Sequence, residues 1–222
     1  AVAGIEFDPT DYIELNIEPY IKYFNQLIEI NRFKTTPRDP DFAIESGQAY
    51  GIDFSMKYDR NSLYIWLAYS LGFIERNDGT QVYPPHYDRR HNMNLVATYT
   101  LGKRWEFSAR WNLGSGFPFT QTAGFYESID FLNGISTDYT SANGDLGIIY
   151  ADELNGGRLP YYHRLDLAAR RTIVFANKDK IEINLGVTNL YNRENIFYFD
   201  RVRYERVNQL PILPSLSMSY SF

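Results

Sequence analysis

The chain contains no cysteine, which excludes disulfide staples and thiolate-held metals alike. Its three histidines, His86, His91 and His163, lack the spacing of a zinc site. Long hydrophobic runs are missing as well. The longest nearly apolar stretch, 63–74, is interrupted by Ser70 and Gly72 and falls short of the roughly 20 residues a membrane helix needs. With a mean hydropathy of −0.39, a helical membrane protein is excluded. Basic surplus is absent: a net charge of −5 argues against nucleic acid as a partner. There is no phosphate-cradling loop, nucleophile elbow or pair of catalytic carboxylates, so no enzymatic activity, metal or cofactor is expected. A Ser–His hydrolase would need a serine placed beside His91 or His163, and none is legible.

Aromatic residues are abundant instead. They make up 17% of the chain, with 19 Tyr and 15 Phe, and such an excess has a physical home in the interfacial girdles of membrane barrels. The hydrophobic patterning agrees. Ser215 to Phe222 alternates small polar with large apolar residues, placing Leu216, Met218, Tyr220 and Phe222 on one face of a strand. Lys180 to Thr188 does the same with Ile181, Ile183, Leu185 and Val187. In 105–113, Trp105, Phe107, Ala109, Trp111 and Leu113 alternate against Glu106, Ser108, Arg110 and Asn112. Further strands are expected at 161–175, 93–101, 63–73, 50–58 and 12–23. Arg171 falls in the apolar register of its strand, close enough to a turn for an interfacial place. Such strands, about ten residues each with one greasy and one polar face, specify an all-β antiparallel transmembrane β-barrel.

Connections alternate in length. Short turns are expected at 8–11, 59–62, 102–104 and 176–179, and long ones near 24–47, 74–91, 114–160 and 190–213. Short periplasmic turns and long extracellular loops are the ordinary asymmetry of outer-membrane barrels. The opening segment, 1–7, alternates like the second half of a strand. A strand halved inside a membrane would leave backbone groups unpaired, so the chain is expected to be one piece of a larger barrel.

Several motifs carry a resemblance. Tyr87-Asp88-Arg89-Arg90-His91 precedes Asn94-Leu95-Val96, and Leu113-Gly114-Ser115-Gly116-Phe117-Pro118-Phe119-Thr120 leaves a strand. Leu159-Pro160-Tyr161-Tyr162-His163-Arg164-Leu165-Asp166-Leu167 begins the next, followed by Asn189-Leu190-Tyr191-Asn192 and the closing Ser219-Tyr220-Ser221-Phe222. In order and spacing, over nearly the whole chain, these resemble the C-terminal part of TonB-dependent outer-membrane receptors, especially of the Bacteroidetes type. The resemblance implies that residues 1–222 supply about nine C-terminal strands of a barrel of about 22, a size at which the lumen is plugged. On that resemblance the plug domain and the TonB-contacting segment would lie outside these residues. It further implies a bacterial outer-membrane location and import of a scarce, large solute (siderophore, corrinoid, glycan or peptide). Outer-membrane lipid, the barrel-assembly machinery, TonB and a surface lipoprotein would be the partners. The competing readings are a self-contained eight-stranded barrel with a structural or lipid-enzyme role, and a soluble β-sandwich.

Candidate contact residues follow. Arg110, Asn112, Tyr162, Arg164 and Asp166 are expected to cluster on the lumen wall, touching solute or plug, or filling the lumen as an ion-pair lattice. The loop aromatics Phe125, Tyr126, Phe131, Tyr139 and Tyr150 are expected to stack on sugars or flat chelates, or on one another. Carboxylates at 127, 130, 138, 145, 152 and 153 lack calcium-loop spacing and read as a solvated loop. Tyr220 and Phe222 resemble a barrel-assembly signal, and also suit an aromatic girdle. Gly114, Gly116 and Pro118 read as strand terminators without chemistry.

Overall fold

A computed structural model describes residues 1–32, 34–127, 146–177 and 179–222. The fold is all-β and antiparallel, with no helix among the described residues. The elements are β1 (Ile5–Thr10), β2 (Ile13–Ile30), β3 (Phe42–Arg60), β4 (Leu63–Asn77), β5 (Val82–Tyr83), β6 (His91–Leu101), β7 (Trp105–Gly114) and β8 (Pro118–Phe119). There follow β9 (Thr122–Glu127), β10 (Leu146–Tyr150), β11 (Gly157–Arg158), β12 (Tyr162–Val174), β13 (Lys180–Thr188), β14 (Ile196–Asp200), β15 (Glu205–Asn208) and β16 (Leu213–Ser221). The large sheet runs β1-β2-β3-β4-β6-β7-β12-β13-β16, a path of nine strands in sequence order, with β5 added to β4. β1 and β16 are its two edges and do not pair, so the sheet stays open. The remaining pairs, β8·β11, β9·β10 and β14·β15, are short hairpins and bridges within the long connections.

Alternation along the strands writes continuous rows across the sheet. One row reads Phe7, Leu15, Met56, Leu67, Leu95, Trp111, Leu165, each residue opposite the next. The neighbouring row on the other face reads Glu6, Asn16, Ser55, Ala68, Asn94, Asn112, Arg164. Because the side-chain period is two, any one-residue slip would exchange the faces, so the pattern fixes the register. Trp66 and Val96 interrupt the polar face.

Nothing covers the apolar face. Among the described residues only Ala49 and Tyr83 count as buried hydrophobics, while Leu216, Met218 and Tyr220 are 71%, 70% and 55% exposed. The accessible surface is 15878 Å². A compact water-soluble chain of 25.9 kDa would expose about 10,500 Å². The sheet is therefore a single layer with no core of its own. Arg171 sits in the apolar register as expected, its guanidinium 5.0 Å above the Trp105 ring.

Two sequence expectations are corrected. The turn placed at 8–11 is instead a bulge in β1, where the register shifts between Phe7 and Thr10, and the chain reverses at Asp11 and Tyr12. Pro9 is tolerated there because β1 is an edge. The long connection placed at 24–47 is shorter: pairing of β2 and β3 continues to Ile30↔Phe42. This tall hairpin is held by a buried ion network. Arg76 Nε donates to Glu45 (2.8 Å), and its Nη1 donates to Glu29 (2.9 Å). The Tyr83 hydroxyl donates to both Glu45 oxygens at 2.8 Å.

Candidate functional site

All long connections leave from one end of the sheet, where four of the resembling motifs meet. Asp88, 1% exposed, accepts a short hydrogen bond from Arg158 and lies 3.9 Å from Arg90. Arg158 also donates to the Gly116 carbonyl at 3.2 Å, tying β11 to the exit of β7. Ser115 continues the β6–β7 ladder: its N–H donates to the His91 carbonyl (2.8 Å) and its hydroxyl accepts from His91 N–H (3.1 Å). A Cβ at Gly116 would overlap the Leu159 carbonyl, so the strand exit and the start of β12 require glycine there to cross.

Asn189 is fully buried, with a left-handed φ of 54°. Its side-chain amide donates to the Arg193 and Leu210 carbonyls (2.9 and 3.0 Å), and its Oδ1 accepts from Arg193 N–H at 3.0 Å. Its own N–H donates to Asp166 Oδ1 at 2.9 Å. Asn195 hydrogen-bonds both backbone groups of His163, so a side chain completes the ladder where β13 has ended.

The expected lumen-wall residues do come together on the polar face. Asn112 lies opposite Arg164, and Arg110 opposite Asp166. Arg164 pairs with Asp166 at 2.9 Å along its own strand. Arg110 has no ion pair among the described residues. Tyr162 lies opposite Gly114, beneath the Arg89 guanidinium at 5.5 Å. Lower rows carry further pairs: Arg170 with Glu106 at 2.6 Å, and Lys57 with Glu14 at 2.8 Å.

The loop aromatics divide. Phe125 meets Tyr204 edge-on at 5.7 Å, and Tyr150 lies under the Arg201 guanidinium at 5.0 Å. Phe125 and Tyr204, with Phe119, Phe199 and Arg201, line a cleft of about 680 Å³. Tyr126 points from the opposite face of β9 and covers Gly147. Phe131 and Tyr139 lie outside the described residues, as do Asp130, Asp138 and Asp145. Tyr220 donates a short hydrogen bond to Asp179, and the Phe222 ring lies 6.1 Å from that of Tyr220.

A second cleft, of about 520 Å³, was not legible in the sequence. Arg89, Phe117, Tyr161, Tyr162, Arg193 and Arg206 line it. Burial lowers the Arg89 guanidinium from its ordinary pKa. The signal available was the Arg89-Arg90 doublet ahead of a strand, with only glycine opposite to make room. The imidazoles of His91 and His163 each meet a tyrosine hydroxyl, Tyr69 at 2.9 Å and Tyr191 at 2.7 Å, while Ser115 Oγ reaches only the His91 backbone. No group of three metal-ligating side chains occurs among the described residues.

No family model matches this chain, and neither a curated protein nor a solved structure does.

Proposed function

We propose that the chain forms the C-terminal part of the barrel of a TonB-dependent outer-membrane receptor, which imports a scarce, large solute by plug rearrangement. One observation carries the reading: an apolar row spanning strand after strand stays uncovered, while the neighbouring row on the other face is mostly polar. In water such a surface would be a very large exposed apolar patch. Against hydrocarbon it is the ordinary outer wall of a barrel, and the Glu14–Lys57 and Glu106–Arg170 pairs then face the lumen.

The connections support the same orientation. Two- to five-residue turns close one end, at 11–12, 61–62, 102–104 and 175–179, whereas four of the five motif-bearing segments lie at the other and only the closing Ser219–Phe222 lies beside the short turns. That end is read as extracellular, and its aromatic clefts as the solute-facing surface. A self-contained eight-stranded barrel would need its terminal strands paired, and β1 and β16 are not.

The test uses the full-length gene product. Expected are recovery in the outer-membrane fraction, a heat-modifiable shift on gels, and site-specific cross-linking to TonB. A chain that stays soluble and monomeric without detergent overturns the reading.

A further inference from the structure

We propose that the cleft between the 84–91 segment, the exit of β7 and the 193–209 segment is a binding site for an organic oxyanion carried on a flat ring. The assignment rests on reading this end of the sheet as the solute-facing mouth.

Charge accounting comes first. Three guanidinium groups, Arg89, Arg193 and Arg206, line the cleft, with one carboxylate, Glu194. Arg206 already pairs with Glu194. Among the described residues, Arg193 has only the Tyr161 carbonyl, at 2.8 Å from its Nη2. Among them Arg89 has only rings, Phe117 at 4.2 Å and Tyr162 at 5.5 Å. Neighbouring Asp88, outside the cleft lining, is engaged by Arg158 through Oδ2, its buried Oδ1 having no partner among the described residues. Two positive charges are thus left without a counter-ion among the described residues, in a partly desolvated space.

Hydrogen bonding points the same way. The Nε atoms of Arg89 and Arg193 are both buried without an acceptor among the described residues. Leaving such donors unmet is costly, and the missing partners are acceptors. A carboxylate or phosphate presents paired oxygens that match the guanidinium fork.

The rings supply the second half of the specificity. Tyr161 and Phe197, 50% and 66% exposed, stand at the cleft wall with no function in any core. An aromatic ring attached to the oxyanion would stack there while its charge reaches the arginines. Gly114 keeps the arrangement open, since any side chain at that position would meet the Arg89 guanidinium.

The test is ¹⁹F NMR line broadening with full-length protein in detergent. The probes are 4-fluorophenyl phosphate, 4-fluorobenzoate and the neutral 4-fluorobenzyl alcohol. Both anions are expected to bind about tenfold more tightly than the alcohol, and whichever anion binds better identifies the oxyanion. Arg89→Gln and Arg193→Gln are each expected to weaken the anions about tenfold. Glu194→Gln is expected to tighten them, because it frees Arg206. Equal binding of the alcohol, or unchanged anion binding in a folded Arg89→Gln/Arg193→Gln variant, overturns the site. If that variant fails to fold, Glu194→Gln decides, and anion binding no tighter there than in wild type overturns the site. TonB cross-linking with no anion binding would sink this site alone and leave the receptor reading standing.

Discussion

Gly114 lies under the Arg89 guanidinium so closely that a Cβ on it would stand 2.6 Å from Arg89 Cζ. The obstacle is the far end of a flexible side chain. Gly114→Ala is therefore expected to fold with near-normal yield while pushing Arg89 off the Phe117 ring. Gly116 is the contrasting case, because its added Cβ would strike the Leu159 backbone. Overpacking against a backbone costs about 1–3 kcal/mol or more. Gly116→Ala is expected to lower the yield of heat-modifiable protein severalfold, and equal yields for the two variants would contradict this account of the Gly-x-Gly spacing.

Arg76 anchors the outer reach of the β2–β3 hairpin. Its partners Glu45 and Glu29 are half-buried or deeper, and Glu45 is 5% exposed. Removing one member of a buried ionic group leaves an uncompensated charge, at about 3–5 kcal/mol. Arg76→Met should unpair the hairpin above Phe24 and Gly47 and speed protease cleavage within 31–41. The paired variant Arg76→Met/Glu45→Gln should be cleaved more slowly than Arg76→Met alone.

Tyr83 reports the same network by pH. Burial first, then the hydrogen bond to Glu45 and the Glu45 charge, push its phenol up to about 12 from the usual 10.0. The folded state thus favours the neutral phenol. Its contribution is whole below pH 10 and fades as pH climbs through about 12. The ultraviolet phenolate titration of wild type minus that of Tyr83→Phe should show one group ionising near pH 12. A difference curve centred at pH 10 would show that the phenol is not held by Glu45.

The strand faces were legible because period-two alternation is local: Trp105 to Leu113 and Lys180 to Thr188 announce their register unaided. What sequence hid is non-local. The outer part of β2, Phe24 to Ile30, carries Asn25, Gln26 and Glu29 among its apolar residues, which blurs the strand signal. Its pairing relies on Arg76, distant in sequence, to take up Glu29. Asp8-Pro9 has turn chemistry yet forms a bulge, since only the sheet context makes β1 an edge. Of the site, Arg110, Asn112, Arg164 and Asp166 could be placed by counting residues along strands. Arg89 and Arg193 could not, because three segments must converge before their shared cleft exists.

The uncovered apolar face can be tested with neighbouring residues that differ only in which way they point. Met56 lies in the row between Leu15 and Leu67, and Ser55 in the polar row between Asn16 and Ala68. Both stand inside the stretch of β3, Tyr50 to Tyr58, that a bilayer would cover, Met56 two residues from Phe54 at its middle. An arginine facing lipid costs about 2–4 kcal/mol at the midplane and less toward the interfaces, whereas one facing a wet lumen costs little. Met56→Arg should therefore abolish most heat-modifiable protein, and Ser55→Arg should keep it. Asp53, two residues away on the same face as Ser55, would also favour the new cation there. Equal tolerance of both substitutions would mean that Leu15, Met56 and Leu67 do not meet hydrocarbon, and the receptor reading would fall with them.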